Sequence, residues 1–342
     1  MTRVLVTGAS GFIAKHIVLQ LLQAGHTVVG SVRSAKRQAE VRAAVAAYLE
    51  GDDWQNRLFF ASLDLNADTG WKEAMENVDV LMHTASPFPI SQPENEDELI
   101  RPAVDGTPRA LRAAKENGIN RVILTSSAVA VMQSNLPTDK LAHDETDWSD
   151  LNHPTINAYG RSKTLAERAA WDFVQSDAPE MNLTTINPVL VLGPPLDANF
   201  GSSVSVVERV LKAKDPALPK FGLPIVDVRD VATMHLKALE MPDETRGMRF
   251  LASNGYVWFA DIAKTLKTAY PNRKIVTRLA PNVFVRFLAL FDKDIRTIVP
   301  QLGFAPKVSN DRARSIMGIN FIPPRDAILA AAEVILRTGK VK

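Results

Sequence analysis

Val4-Leu5-Val6-Thr7-Gly8-Ala9-Ser10-Gly11-Phe12-Ile13-Ala14 begins as a strand and ends as a helix. Val4, Leu5 and Val6 form a short apolar, largely β-branched run, the composition of a buried strand. Two glycines three apart interrupt it. A periodic stretch follows in which Ile13, Ile17, Leu21 and Ala24 share one stripe before Gly25 closes the helix. Gly8 permits a tight turn, and Gly11 leaves the backbone bare where the helix starts. Such a start offers unpaired N–H groups and a partial positive charge, so an anion can settle there without a lysine. In the order strand, glycine turn, helix, the anion is the pyrophosphate of a dinucleotide, held by Gly8, Ser10, Gly11, Phe12 and Ile13. Ala14 takes the third small position, where glycine is more usual, and still allows helix and strand to pack closely.

The same rhythm runs outward from this turn. Strand-like runs at 4–7, 27–32, 58–62, 80–83, 122–125 and 183–186 are separated by stretches of helical period. Parallel neighbours need crossovers of a dozen or more residues, and these stretches have that length. The reading predicts an α/β fold: a Rossmann-type doubly wound parallel sheet with a smaller C-terminal substrate lobe. After Val191 the regularity breaks at Gly193-Pro194-Pro195, Pro216, Pro219 and Pro224. We therefore expect residues 1–191 to bind the dinucleotide, with 225–252 returning to that unit, and residues 192–224 and 253–342 to form the lobe. The apolar segment 284–291 is interrupted by Arg286 and falls well short of the roughly 18 to 20 residues of a membrane span. It reads as a buried or pocket-lining helix.

Composition excludes several roles. Forty basic against 38 acidic residues leave a net charge of +2, too small and dispersed for a nucleic-acid-binding face, so small molecules are the expected partners. With no cysteine there is no disulfide framework and no thiolate, and the six histidines lack metal-ligand spacing, so no metal is expected. Any redox chemistry must come from a cofactor. The N-terminus enters the first strand at once, leaving no room for a secretion leader, and a cytoplasmic, non-membrane protein is expected. The calcium-like run from Asp64 to Asp68 has Thr69 and Met75 where glycine and glutamate belong.

Two clusters carry chemistry. Where the second strand ends, an acidic residue would grip ribose hydroxyls; Arg33 stands there instead, followed by Lys36 and Arg37, which suits a 2′-phosphate. Tyr159 and Lys163 are four apart at the start of a helical stretch, hence on one face. A lysine charge beside a phenol would lower its pKa from about 10 toward the working range. Tyr159 could then give a proton to a carbonyl oxygen as hydride arrives at carbon. Ser126 and Ser127 end the strand at 121–125, on the sheet edge where open α/β folds bind ligands; either serine could orient a substrate oxygen or cap a turn.

Together TGASGFIA, HTASP at 83–87, RVILTSSA at 121–128, YGRSKTLAE at 159–167 and NPVLVLGP at 187–194 resemble the extended short-chain dehydrogenases. Within them the chain is most similar to the branch of dihydroflavonol 4-reductase, cinnamoyl-CoA reductase and the microbial aldehyde and ketone reductases, clearly to about residue 240 and loosely beyond. The resemblance implies NADPH as cofactor, Tyr159 as acid, Lys163 tuning it and holding the nicotinamide ribose, and Ser127 orienting the carbonyl. It implies that Asp64 and Leu65 flank the adenine, that Thr84, Ala85 and Ser86 line the cofactor's path, and that Pro188 and Val191 meet the nicotinamide. Ser203 is a further implied contact, and a monomer or homodimer is expected. Two features depart from the branch. Met132 replaces the asparagine that grips flavonoid hydroxyls, and Asn157-Ala158-Tyr159-Gly160-Arg161-Ser162-Lys163 does not match the cinnamoyl-CoA motif NWYCYGK. Phe88, Pro89, Met132, Phe200, Phe221 and the 284–291 helix would then shape an apolar pocket. A nucleotide-sugar epimerase or dehydratase retaining NAD, and an NADP(H) sensor without turnover, are the competing readings.

Overall fold

The computed structural model describes residues 1–86 and 95–341, with side chains throughout except at 293, 294 and 297. Phe88 and Pro89, expected in the pocket, lie outside the described residues.

The first part of the chain alternates β1 (Arg3–Thr7), α1 (Phe12–Gln23), β2 (Thr27–Ser31), α2 (Ala35–Ala46), β3 (Leu58–Ala61), α3 (Trp71–Ala74), β4 (Val80–His83), α4 (Asp97–Glu116), β5 (Arg121–Thr125), α5 (Ala158–Ser176) and β6 (Asn182–Pro188). Then come β7 (Leu190–Leu192), α6 (Gly201–Leu211), β8 (Gly222–Asp227), α7 (Val228–Glu240), β9 (Met248–Ala252), β10 (Tyr256–Trp258), α8 (Phe259–Ala269), α9 (Asn282–Leu288), α10 (Lys293–Ile298), α11 (Asp311–Met317) and α12 (Pro324–Arg337). Seven strands form one sheet in the order β3-β2-β1-β4-β5-β6-β9, every pair parallel. The order reverses between β1 and β4, so their carboxyl ends flank a crevice.

Strand residues alternate between two cores, as the period of two requires. Val4, Val6, Val80 and Met82 face α1 and α7, while Leu5, Leu81, Val122 and Leu124 face α4 and α5. Such near-continuous apolar strands are what a sheet covered on both faces needs. A second sheet in the order β10-β8-β7 builds the smaller lobe, with β7 and β8 parallel and β10 antiparallel to β8. Its core joins Leu192, Val204, Val207, Ile262, Leu266 and Ala331. Thus β8 lies in the small sheet, whereas β9 returns to the large one.

The apolar run 284–291, expected as a buried or pocket-lining helix, is not buried as a whole. The helix ends at Leu288, and Phe284, Phe287, Leu290 and Phe291 are exposed. Of α9 only Val285 is buried, because the run is apolar on every side and only one side meets the lobe.

Candidate active site

The turn after β1 leaves room and amide donors for an anion. Gly8 has φ +66°, and a Cβ added to it would lie 3.0 Å from the Ala85 Cα, so the chain after β1 meets the chain after β4 through a bare glycine. Ser31 at the end of β2 pins the turn, its Oγ accepting from Gly8 N–H at 2.9 Å and its carbonyl from Ala9 N–H at 2.9 Å. Gly11 N–H closes on the Gly8 carbonyl at 2.9 Å. No side chain caps α1 and its first turn holds no acidic residue, which leaves its amide donors and positive end to a ligand. Ser10, Phe12 and Ile13 line this turn, half-buried. The cradle fits a pyrophosphate.

Thr7 braces the crevice from behind. Its hydroxyl accepts from the Thr84 and Ala85 amides, each at 3.1 Å, while Thr84 Oγ1 donates to the Thr7 carbonyl. The hydroxyl's one proton is then left for His83 Nδ1 at 2.9 Å. Burial holds the His83 imidazole down at about 4, with the Lys163 charge acting the same way, so the ring is neutral. His83 is a strut of the site.

At the end of β2, Arg33 and Lys36 are exposed, and Arg37 is occupied by Glu40 at 2.7 Å. Ser34 caps α2, whose first turn is free of acidic residues. Asp64 is exposed and accepts from Asn66 N–H at 2.9 Å, and Leu65 packs half-buried beneath Gly106. Pro188 and Val191 are buried at the end of β6 and in β7. Ser203 lies half-buried in the first turn of α6, in the small lobe.

Ser127, Tyr159 and Lys163 meet at the carboxyl edge of β5. Asn157 starts α5 by accepting from Gly160 N–H at 2.9 Å, which puts Tyr159 in the first turn and Lys163 one turn on. The Ser127 side chain hydrogen-bonds the Tyr159 phenol. Lys163 Nζ lies 6.0 Å from the Tyr159 ring centre and donates to Ser86 Oγ at 3.0 Å. The two serines separate in role: Ser126 Oγ turns away to donate to Glu167 at 2.5 Å.

The electrostatics run opposite to the sequence expectation for the tyrosine. Burial pushes the phenol up to about 12, the Ser127 hydrogen bond offsetting part of it. Burial also pulls Lys163 down to about 8 against the pull of Glu167. In the absence of coenzyme, burial governs the phenol, and the Lys163 ammonium is directed to Ser86. The phenol is therefore neutral and hydrogen-bonded to a serine.

Two expected pocket residues belong to the lobe interior: Phe200 is buried, and Phe221 stacks on Phe259 at 5.3 Å. Met132 is half-buried against the core around Ala128 and Val131. Sequence reasoning also passed over the buried group behind the triad, where Glu167 pairs with Arg249 at 2.7 Å. The signal present was a glutamate on the buried side of α5, but its partner lies 82 residues away.

Over residues 4–251 the chain matches the model described as the NAD dependent epimerase/dehydratase family. It is 32% identical over 341 residues to ketoreductase azaE of Aspergillus niger, covering 93% of each chain. It is 30% identical over 351 residues to the putative NADPH-dependent methylglyoxal reductase GRP2 of Candida albicans, covering 96% of each. The crystal structure of yeast methylglyoxal/isovaleraldehyde reductase Gre2 complexed with NADPH superposes with a TM-score of 0.81 at 26% identity, spanning 99% of this chain and 100% of that one.

Proposed function

The chain belongs to the NAD dependent epimerase/dehydratase family, and within it we propose that the protein is an NADPH-dependent carbonyl reductase that converts hydrophobic aldehydes or ketones to alcohols. The observation that carries this reading is the meeting of Ser127, Tyr159 and Lys163 on the same sheet edge as the uncapped α1 turn. NADPH, when bound, supplies hydride to the carbonyl carbon.

The chain's own groups do the rest. The α1 amides and the bare Gly8–Gly11 backbone hold the pyrophosphate, and Arg33 with Lys36 grips the 2′-phosphate by charge-assisted hydrogen bonds. Asp64 and Leu65 border the adenine, Thr84 to Ser86 the path between, and Pro188, Val191 and Ser203 the nicotinamide end. Ser127 donates to the substrate oxygen and fixes it against the phenol. Tyr159 releases its proton to that oxygen as negative charge develops there. Lys163 stabilises the resulting phenolate and holds the nicotinamide ribose. In this scheme the large sheet with its helices serves the coenzyme and the smaller lobe the substrate, and the enzyme works in the cytoplasm as a monomer or homodimer.

The epimerase reading would require tightly retained NAD, and a basic 2′-phosphate grip is out of place there. A sensor would not need a tyrosine and lysine arranged for proton transfer. A panel of aldehydes, ketones and diketones followed by NADPH absorbance should give turnover with several apolar members and a strong preference over NADH. Preference for NADH, or an isomerised sugar product with no net coenzyme consumption, would defeat the proposal.

A further inference from the structure

Glu167 sits one turn beyond Lys163 on α5 and is fully buried. Its Oε2 accepts from Ser126 Oγ at 2.5 Å and from Asn187 Nδ2 at 2.6 Å, and its Oε1 accepts from Arg249 Nε at 2.7 Å. Trp171 Nε1 and Thr185 Oγ1 add longer contacts at 3.4 Å. Asn187 Oδ1 accepts from Thr185 Oγ1 at 2.9 Å, which fixes the amide so that Nδ2 also reaches the Ser127 carbonyl at 3.2 Å. One carboxylate therefore joins the helix carrying Tyr159 and Lys163 to the end of β5, to β6 and to β9.

A buried ion pair is a poor device for stability alone, since its desolvation offsets most of the attraction and apolar residues of like volume hold a fold as well. The position of this one points to the site instead. Resting on the reductase reading above, we propose that Glu167 is a positioning residue of the reaction: it locks the Ser126–Ser127 turn so that Ser127 faces Tyr159, and it keeps a negative charge beside the Lys163 ammonium.

The first half follows from hydrogen bonding. With Ser126 Oγ committed to Glu167 and the Ser127 carbonyl held by Asn187, the turn has little freedom to rotate, and Ser127, whose Oγ also accepts from Val129 N–H at 3.4 Å, stays against the Tyr159 phenol. The second half follows from charge. The groups around Lys163 are Tyr159 and Glu167 on its own helix, and His83 and Ser86 from β4 and the residues after it. The phenol, the serine and the neutral imidazole carry no charge, so Glu167, partly balanced by Arg249, is the counter-charge that opposes burial.

The test uses protein labelled with 13C at lysine Cε, the Lys163 resonance being assigned by its loss in Lys163→Met. In Glu167→Gln the Lys163 titration should move down by about one pH unit. The same variant should lose roughly 10- to 100-fold in kcat with KM and NADPH Kd within about threefold, because misplacing a serine costs orientation and not binding. Glu167→Asp keeps the charge and withdraws the carboxylate, so it should restore the titration while kcat stays low. Arg249→Met breaks the same ion pair from the far side and should not lower the Lys163 titration. The proposal is overturned if Glu167→Gln leaves titration and kcat at wild-type values. It is equally overturned if Glu167→Gln and Arg249→Met lose kcat only in step with melting temperature while the Lys163 titration stays put. A wild-type chain that reduced no carbonyl would sink the reductase reading separately, and the titration, which needs no substrate, would still decide the charge relation.

Discussion

Lys163 shows what the site costs. Its folded value of about 8 lies below the ordinary 10.5, because burial disfavours the ammonium more than Glu167 restores it. Between about 8 and 10.5 the unfolded chain binds more protons than the folded one, so stability rises with pH through that window, and below 8 the whole penalty is present. At about 1.4 kcal/mol per pH unit the penalty is at most about 3.5 kcal/mol. Lys163→Met should therefore stabilise the coenzyme-free protein at pH 7 by up to about 3.5 kcal/mol, with the gap closing above about pH 10, as measured by urea unfolding at both values. A variant less stable than wild type at pH 7 would contradict this account of the lysine. The Tyr159 phenol, raised to about 12, remains protonated throughout the same range.

Under the proposed function the glycine turn is the element on which coenzyme binding depends, and its two costs can be separated by comparison with Gly25. Both glycines have positive φ, +66° at Gly8 and +85° at Gly25, but an added Cβ at Gly25 meets nothing within 4 Å while one at Gly8 meets Ala85. Gly25→Ala should cost only the left-handed conformation, about 1 to 2 kcal/mol, with NADPH Kd within twofold. Gly8→Ala should cost more, by forcing the ends of β1 and β4 apart, and should weaken NADPH at least tenfold by fluorescence titration. Equal NADPH affinities in the two variants would detach the turn from coenzyme binding. This element was legible in sequence because each step is local: apolar run, glycine, exposed helix start. Gly30 was not legible, since its constraint is the Ala9 Cβ, 2.9 Å from where its own would stand, and that contact exists only once β2 lies beside β1. The exposure of the 284–291 run was not legible for the related reason that an apolar segment does not say which of its sides will find a neighbour.

At the scale of the molecule, the two lobes are tied through α1. Lys15 of α1 is buried and paired with Asp197 at 2.5 Å, and His16 hydrogen-bonds the Pro194 carbonyl at 2.9 Å, both in the segment between β7 and α6. The parallel sheet and its crossovers could be read from periodicity, because burial on both faces imposes a pattern on every strand. The ties between lobes and the Glu167–Arg249 pair could not, because a charged residue that finds its partner across the fold looks in sequence like any surface charge. Ser127 and Tyr159 fall between these cases: their strand end and helix start are local features, whereas the hydrogen bond between them is a product of packing. The most direct measurement supplies NADPH deuterated at the transferred C4 position, with an apolar aldehyde that the wild-type chain reduces, and follows deuterium into the alcohol. The account predicts one deuterium on the carbinol carbon for each NADPH consumed, and in Tyr159→Phe a rate at least a hundredfold lower with NADPH affinity nearly intact. Undiminished deuterium transfer by Tyr159→Phe, or a product carrying no deuterium, would contradict it.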